Sequence, residues 1–280
     1  MPIDRRAVIA AGFALPALAS ASPVLAAGID PLLRKAIDDP RRKPADRARD
    51  VFRHPAETLA FWGLKPGMTV IDVNPGTGWW TDIIAPYLAA THGRYIAAGA
   101  DLNNPKLSDA AKQGRAAFEA KYADKATYGD VTVVGFGKVS GPLAPAGSVD
   151  LVIVSRETHN WADGFIQKAF GDFHAALKPR GLMGIEDHRA PDGADPKAGT
   201  GYVSEAWVIG EAKTAGFRLD GRSDVNANPK DTKDHPFGVW TLPPSRQSAP
   251  SGQPANPAFD HTKYDAIGES DRMTLKFVRV

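Results

Sequence analysis

The run Thr69-Val70-Ile71-Asp72-Val73-Asn74-Pro75-Gly76-Thr77-Gly78-Trp79-Trp80-Thr81 constrains this chain more than any other segment. Val70, Ile71 and Val73 suit a strand buried on both faces, as in a parallel sheet, with the acidic Asp72 set into the apolar run. Gly76 and Gly78 then permit backbone conformations closed to other residues and a close approach to a ligand, and a helix can begin at Thr81. Open α/β sheets hold nucleotide-like ligands at such strand, loop and helix junctions, so an α/β fold is expected. A tight strand-to-helix turn without a ligand is the plain structural alternative.

The alternation continues along the chain. Pro55 opens a helix that Gly63 stops, and Ile83, Ile84, Tyr87 and Leu88 carry helical spacing over 81–90. A second strand runs from Arg94 to Asp101, with further strands at 130–135, 148–155, 182–186, 217–221 and 273–280. Helices are expected at 105–122, 161–177 and 202–215, and Lys178-Pro179-Arg180-Gly181 reads as a break after the second of these. Residues 28–53, with Arg41-Arg42-Lys43, read as an exposed arm of solvated charges leading into short helices. Residues 224–271 are rich in Pro, Gly, Ser and Asn and too long for an ordinary connection. They read as one elaborated loop, with His235 to Trp240 as part of a lid and 245–257 as mobile.

The first 26 residues read as an export signal. Arg5-Arg6 precede an apolar run from Ala7 to Ala19, and Val24-Leu25-Ala26 supply the small residues of a cleavage site. That run is shorter than the roughly 20 residues of a spanning helix, so an exported, periplasmic protein without stable membrane insertion is expected. Arg5-Arg6-Ala7-Val8-Ile9 resembles a twin-arginine signal, with Asp4 where Ser or Thr is usual; the ordinary secretory route is the alternative. Residues 27–280 then form a single domain. Losing Arg5, Arg6 and Asp4 from 34 basic and 32 acidic side chains leaves a near-neutral balance, so nothing in the charge points to nucleic acid and none is expected as a partner. The absence of cysteine excludes disulfides, a thiol nucleophile and cysteine zinc sites.

The glycine loop resembles the first motif of class I S-adenosylmethionine-dependent methyltransferases. Asp72, Gly76 and Gly78 stand in the matching places, and Asn74 takes the first glycine position, where its tolerance of left-handed backbone helps. Asp101, closing the second strand, matches the acidic residue that binds the cofactor ribose, since a carboxylate can accept from two adjacent hydroxyls. The resemblance implies a seven-stranded Rossmann-like sheet, mostly parallel, with an antiparallel last strand beside the fifth and helices on both faces. It also implies S-adenosylmethionine as cofactor, and Trp79, Ser155 and Arg156 join the loop residues and Asp101 in the expected cofactor set. Read as a dinucleotide fingerprint from Gly76, the loop puts Thr81 where a third glycine or alanine belongs and adds bulky Trp79 and Trp80, which disfavours a nicotinamide enzyme.

The exits of the fourth and fifth strands carry Ser155-Arg156-Glu157-Thr158-His159-Asn160-Trp161 and Glu186-Asp187-His188-Arg189. Their Arg-x-x-His and Asp-His-Arg steps resemble a group of predicted exported methyltransferases. His159 is the first candidate for a proton acceptor, and His188 with Asp187 the second, although adjacent residues rarely pair as a dyad. No metal is assigned, because Glu157, His159, Asp187 and His188 lack a ligand-like spacing. The expected partner is a small-molecule methyl acceptor. A non-catalytic S-adenosyl or nucleotide-binding protein on the same fold is the alternative.

Overall fold

Four short helices lead into the sheet: α1 (Pro31–Ile37), α2 (Pro44–Arg47), α3 (Asp50–Arg53) and α4 (Pro55–Trp62). The alternating part follows as β1 (Thr69–Val73), α5 (Thr81–Ala90), β2 (Arg94–Ala100), α6 (Asp109–Lys121), α7 (Lys125–Tyr128), β3 (Val131–Phe136), β4 (Val149–Ser155), α8 (Phe165–Ala176) and β5 (Leu177–Ala190). The chain closes with β6 (Val203–Ser204), α9 (Glu205–Thr214), β7 (Phe217–Ser223), β8 (Pro236–Val239), α10 (Thr262–Ile267) and β9 (Arg272–Arg279). This computed structural model describes residues 28–280, so the expected leader and its cleavage site lie outside the described residues.

The sheet runs β3-β2-β1-β4-β5-β9-β7, with β9 antiparallel to both neighbours and the other adjacent pairs parallel. The short β6 adds an eighth strand beside the end of β5, where the sequence pattern suggests helix. Ser204 sets the boundary: its hydroxyl accepts from Trp207 N–H at 3.2 Å and caps α9.

Both faces of the sheet are covered, which is why the central strands read as near-continuous apolar runs. Ile71, Val73, Val152 and Ile185 pack with Phe170 and Phe173 of α8 on one face. Val70, Leu151 and Ile153 pack with Leu59 and Trp62 of α4 and Ile84 of α5 on the other. Each fully buried Phe contributes roughly 1.5–3 kcal/mol. Among the described residues, no helix is long and apolar enough to cross a membrane.

Three expectations need correction. Lys178 to Gly181 lie within β5, and the irregularity appears instead as a register shift, with Leu177 opposite Val149 and Leu182 opposite Leu151. The arm at 28–53 is docked: α1 buries Leu33, Ala36 and Ile37, and Arg42 and Arg53 are each 2% exposed. Arg42 is held by Asp50 at 2.7 Å and Arg53 by Glu269 at 3.1 Å, and the second partner lies too far along the chain for local patterning to reveal. Finally, 224–271 contains β8 and α10 and is tied down by buried polar groups. Asn226 donates to Thr58 and Thr274, Asp231 pairs with His235 at 2.8 Å, and Ser248 accepts from Asn256 N–H within the stretch read as mobile.

Candidate active site

Beyond Val73 the backbone turns sharply, with Asn74 at φ +48°, Gly76 at +58° and Gly78 at +92°. The two glycines serve different ends. A Cβ on Gly76 would meet nothing within 4 Å, because that residue faces an open cleft. A Cβ on Gly78 would lie 1.7 Å from the Tyr122 hydroxyl, which donates to Gly78 O and to Asp82. Asp72 sits beneath the loop and borders neither half of the cleft. Tyr95 O–H donates to it at 2.7 Å and also meets Thr81 Oγ1, which fastens β1 to β2 and to the start of α5. Burial pushes the Asp72 carboxyl up to about 7, against the lowering effect of the Tyr95 bond.

The cleft has two halves that meet at Asn74 to Thr77 and Glu157. One, of about 560 Å³, is mostly apolar, with Gly99, Ala100, Gly114, Phe118 and Val133 on its walls. The other, of about 360 Å³, is polar and charged, with Arg53, Arg156, His159, His188 and Trp240 on its walls. Trp79 and Ser155 also border this half. Tryptophan rings do not plug it: Trp80 packs on Trp62 in the core, and Trp79 lies at the margin with its N–H donated to Asp46 O. A larger groove of about 1060 Å³ runs between α1, α7 and β3, away from the strand ends that carry this chemistry.

Asp101 follows β2 directly but borders neither half of the cleft. Its carboxylate accepts from Asn103 N–H at 3.0 Å and leans over Gly135, where an added Cβ would come within 2.6 Å of it. In this arrangement it caps its own turn. Glu157 instead occupies the junction of the two halves, accepting from Asn74 Nδ2 at 2.9 Å. Burial pushes Glu157 up to about 7, against the lowering effect of the Asn74 bond.

The exits of β4 and β5 meet through Asp187. Its carboxylate accepts from His159 Nδ1 at 2.8 Å, His159 N–H at 3.2 Å, His188 N–H at 2.8 Å and the Thr158 hydroxyl. The dyad therefore joins residues 28 positions apart, not the neighbours Asp187 and His188. His188 Nδ1 instead meets Ser270 Oγ at 2.6 Å, and its ring lies 5.2 Å from that of His159, which in turn lies 6.1 Å from the Trp240 ring.

Burial alone would lower the His159 pKa, but the charge and hydrogen bond of Asp187 outweigh it and the net shift is upward. Burial would likewise raise Asp187, but the charge and hydrogen bond of His159 bring it down. His188 is driven well down by burial despite Asp187, so it stays neutral near pH 7. One potential ligand atom each from His159, Asp187 and His188 lie within 4.8 Å of one another, a spacing open to a cation. Four donors already occupy the acceptor positions of Asp187, so the trio fits a hydrogen-bonded dyad better than a metal cage.

Ser155 gives its hydroxyl proton to Glu186 at 2.6 Å, and Arg156, at φ +57°, stands 3.8 Å from the same carboxylate. Two residues of the site carry no local sequence signal: nothing near Arg53 in the chain marks it as buried, and the bond of Glu157 to Asn74 spans two strand exits. Trp240 is legible in sequence only as part of a lid segment.

The strand order, the glycine loop and the cleft beyond the strand ends define a Rossmann-like fold of the methyltransferase type. The chain belongs to the methyltransferase domain family, whose model matches residues 46–220, more than half of its length. A search of curated proteins finds no match. Among solved structures, the fold is similar to that of an S-adenosylmethionine-dependent methyltransferase from Aquifex aeolicus, at 20% identity and TM-score 0.52 over 90% of this chain and 100% of that one. It is also similar to the [4+2]-cyclase SpnF, at 14% identity and TM-score 0.55 over 86% of this chain and 84% of that one.

The family makes S-adenosylmethionine the cofactor, and the residues present fit it. Space over Gly76, Gly99 and Gly114, which a Cβ would enter without obstruction, gives a nucleoside room against an apolar wall. Asn74, Glu157 and the loop backbone stand where its polar groups would need partners.

Proposed function

We propose that this protein transfers a methyl group from S-adenosylmethionine to a small-molecule acceptor held in the polar half of the cleft, with His159 taking up the acceptor's proton. The observation that carries this reading is the 2.8 Å bond between Asp187 Oδ1 and His159 Nδ1 at the cleft wall. It fixes the ring with Nδ1 toward Asp187 and leaves Nε2 as the atom able to accept a proton.

The bound cofactor supplies an electrophilic methyl on a sulfonium. The chain's own contribution is placement and proton removal. The loop 74–77 and Glu157 border both halves and so hold the two reactants end to end, an alignment worth at most roughly 7–11 kcal/mol. Asp187 orients His159 and stabilises its protonated form once the proton has moved, and neutral His188 adds no competing charge. Trp240, beside the His159 ring, limits water at that face.

On the same reading the protein works outside the cytosol, in the group of exported methyltransferases that its Arg-x-x-His and Asp-His-Arg steps resemble. Support comes from Arg5-Arg6, the apolar run after them and the small residues before Ala27. Fractionating cells that express the full chain tests this, and finding the intact protein only in the cytosol would contradict it.

Methyl transfer is tested by incubating the protein with methyl-labelled S-adenosylmethionine and a small-molecule extract. Label should appear in a metabolite fraction. Tight binding of S-adenosylhomocysteine with no transfer to any fraction would leave a binding protein instead.

A further inference from the structure

Beside the dyad, the polar half of the cleft is backed by more positive charge than the adjacent carboxylates require. Arg49, Arg53 and Arg272 converge on Glu269 at 2.6, 3.1 and 2.7 Å, and Arg272 also meets Glu186 at 2.9 Å. With Arg156 at 3.8 Å from Glu186, four guanidiniums share two carboxylates. Glu157 is the next carboxyl, but it is bonded to Asn74 and burial brings it to about 7, so it offsets the excess only in part.

The unpaired donors can be located. Among the described residues, Arg53 Nη1 and Arg156 Nη1 are buried N–H groups without a hydrogen-bond partner, Arg156 Nη1 standing 3.8 Å from Glu186 Oε2, and both residues border the cleft. The Arg53 side chain is 2% exposed, and its guanidinium carbon lies over the Trp79 ring, 4.7 Å from its centroid. Burial and the like charge of Arg156 both work against the charged form of Arg53. Neither glutamate needs these two arginines. Without Arg156, Glu186 keeps Arg272 and Ser155; without Arg53, Glu269 keeps Arg49 and Arg272. Leaving charged donors buried and unpaired is costly, so their retention points to a partner that arrives from the cleft.

We propose that Arg53 and Arg156 grip an anionic group, a carboxylate or a phosphate, carried by the methyl acceptor. The proposal rests on the methyl-transfer reading and names the acceptor's chemical class. Guanidinium forks match such oxyanions in shape as well as charge. Arg156 lies three positions before His159, and both border the polar half of the cleft, so an acceptor anchored here keeps its nucleophile beside the proton acceptor. The cofactor's own carboxylate has the same chemistry and is the competing source.

The test titrates inorganic phosphate into the full chain saturated with S-adenosylhomocysteine, by calorimetry, for the wild type, Arg156→Gln and Arg156→Lys, with thermal melting as the check on folding. Phosphate should bind alongside S-adenosylhomocysteine. Arg156→Gln should weaken phosphate about tenfold or more while changing S-adenosylhomocysteine less than about threefold, and Arg156→Lys should recover part of the loss. Phosphate that competes with S-adenosylhomocysteine would give the arginines to the cofactor and overturn the proposal. So would an Arg156→Gln variant that binds S-adenosylhomocysteine more weakly but the carboxylate-free 5′-methylthioadenosine as before. Phosphate binding that is absent in the wild type, or equal in Arg156→Gln, overturns it as well. If S-adenosylhomocysteine itself does not bind, the methyl-transfer reading fails and takes this proposal with it; phosphate titration of the free protein tells that failure from loss of the anion site. Should Arg156→Gln not fold, Arg53→Lys, which keeps the charge but loses the fork, is read by the same criteria.

Discussion

Asp187 Oδ1 stands 2.8 Å from His159 Nδ1, which joins the exits of β5 and β4 through one charge-assisted hydrogen bond. The carboxylate holds the imidazole pKa above its ordinary 6.5 in spite of burial. A proton acceptor must start neutral, so turnover should rise with pH through a group titrating above 6.5. Asp187→Asn removes the charge but leaves the burial. The acid limb of the kcat/KM profile should then move to lower pH, while the rate falls by up to about 10²–10⁴-fold. A limb that stays in place would show that another group titrates.

Asp72 gives a separate pH signature, in stability. Its carboxyl sits near 3.8 in the unfolded chain and at about 7 in the fold, raised by burial, so the folded state favours the protonated form. The stabilisation is complete below pH 3.8 and is lost as pH rises through 7. Asp72→Asn can still accept from Tyr95 and carries no charge, so it should flatten this dependence and gain up to about 4 kcal/mol at pH 8 relative to the wild type. Urea unfolding of both proteins at pH 5 and pH 8 measures the difference, and an equal loss in both would refute the assignment.

The glycines of the loop should separate folding from binding. Gly78→Ala forces a Cβ onto the Tyr122 hydroxyl and demands φ +92°, so it should lower the melting temperature substantially. Gly76→Ala meets no atom and carries only the left-handed backbone cost, roughly 1–2 kcal/mol. Its methyl group enters the cleft, so it should weaken S-adenosylhomocysteine more than it destabilises the fold. Melting and calorimetry on the two variants check the contrast, and it fails if both lose stability equally.

Much of the sheet was legible because its signals are local. Val70, Ile71 and Val73 carry the buried-strand pattern on their own, and the strand at Met273 to Val280 takes its antiparallel place beside the fifth. What stayed hidden depends on partners distant in sequence. Arg42 and Arg53 look like solvated charges until Asp50 and Glu269 are brought to them, and Asp187 looks like the neighbour of His188 until β4 and β5 align and deliver His159. Gly76 and Gly78 look equivalent in the loop, yet only packing against Tyr122 tells them apart.

The most direct test of the site is the labelled-methyl assay on His159→Ala at saturating cofactor, run beside S-adenosylhomocysteine calorimetry. The expected result is transfer slowed by about 10²–10⁴-fold with cofactor affinity kept within about threefold of the wild type. Transfer at the wild-type rate, with the cofactor bound as before, would contradict the role given to the His159–Asp187 pair.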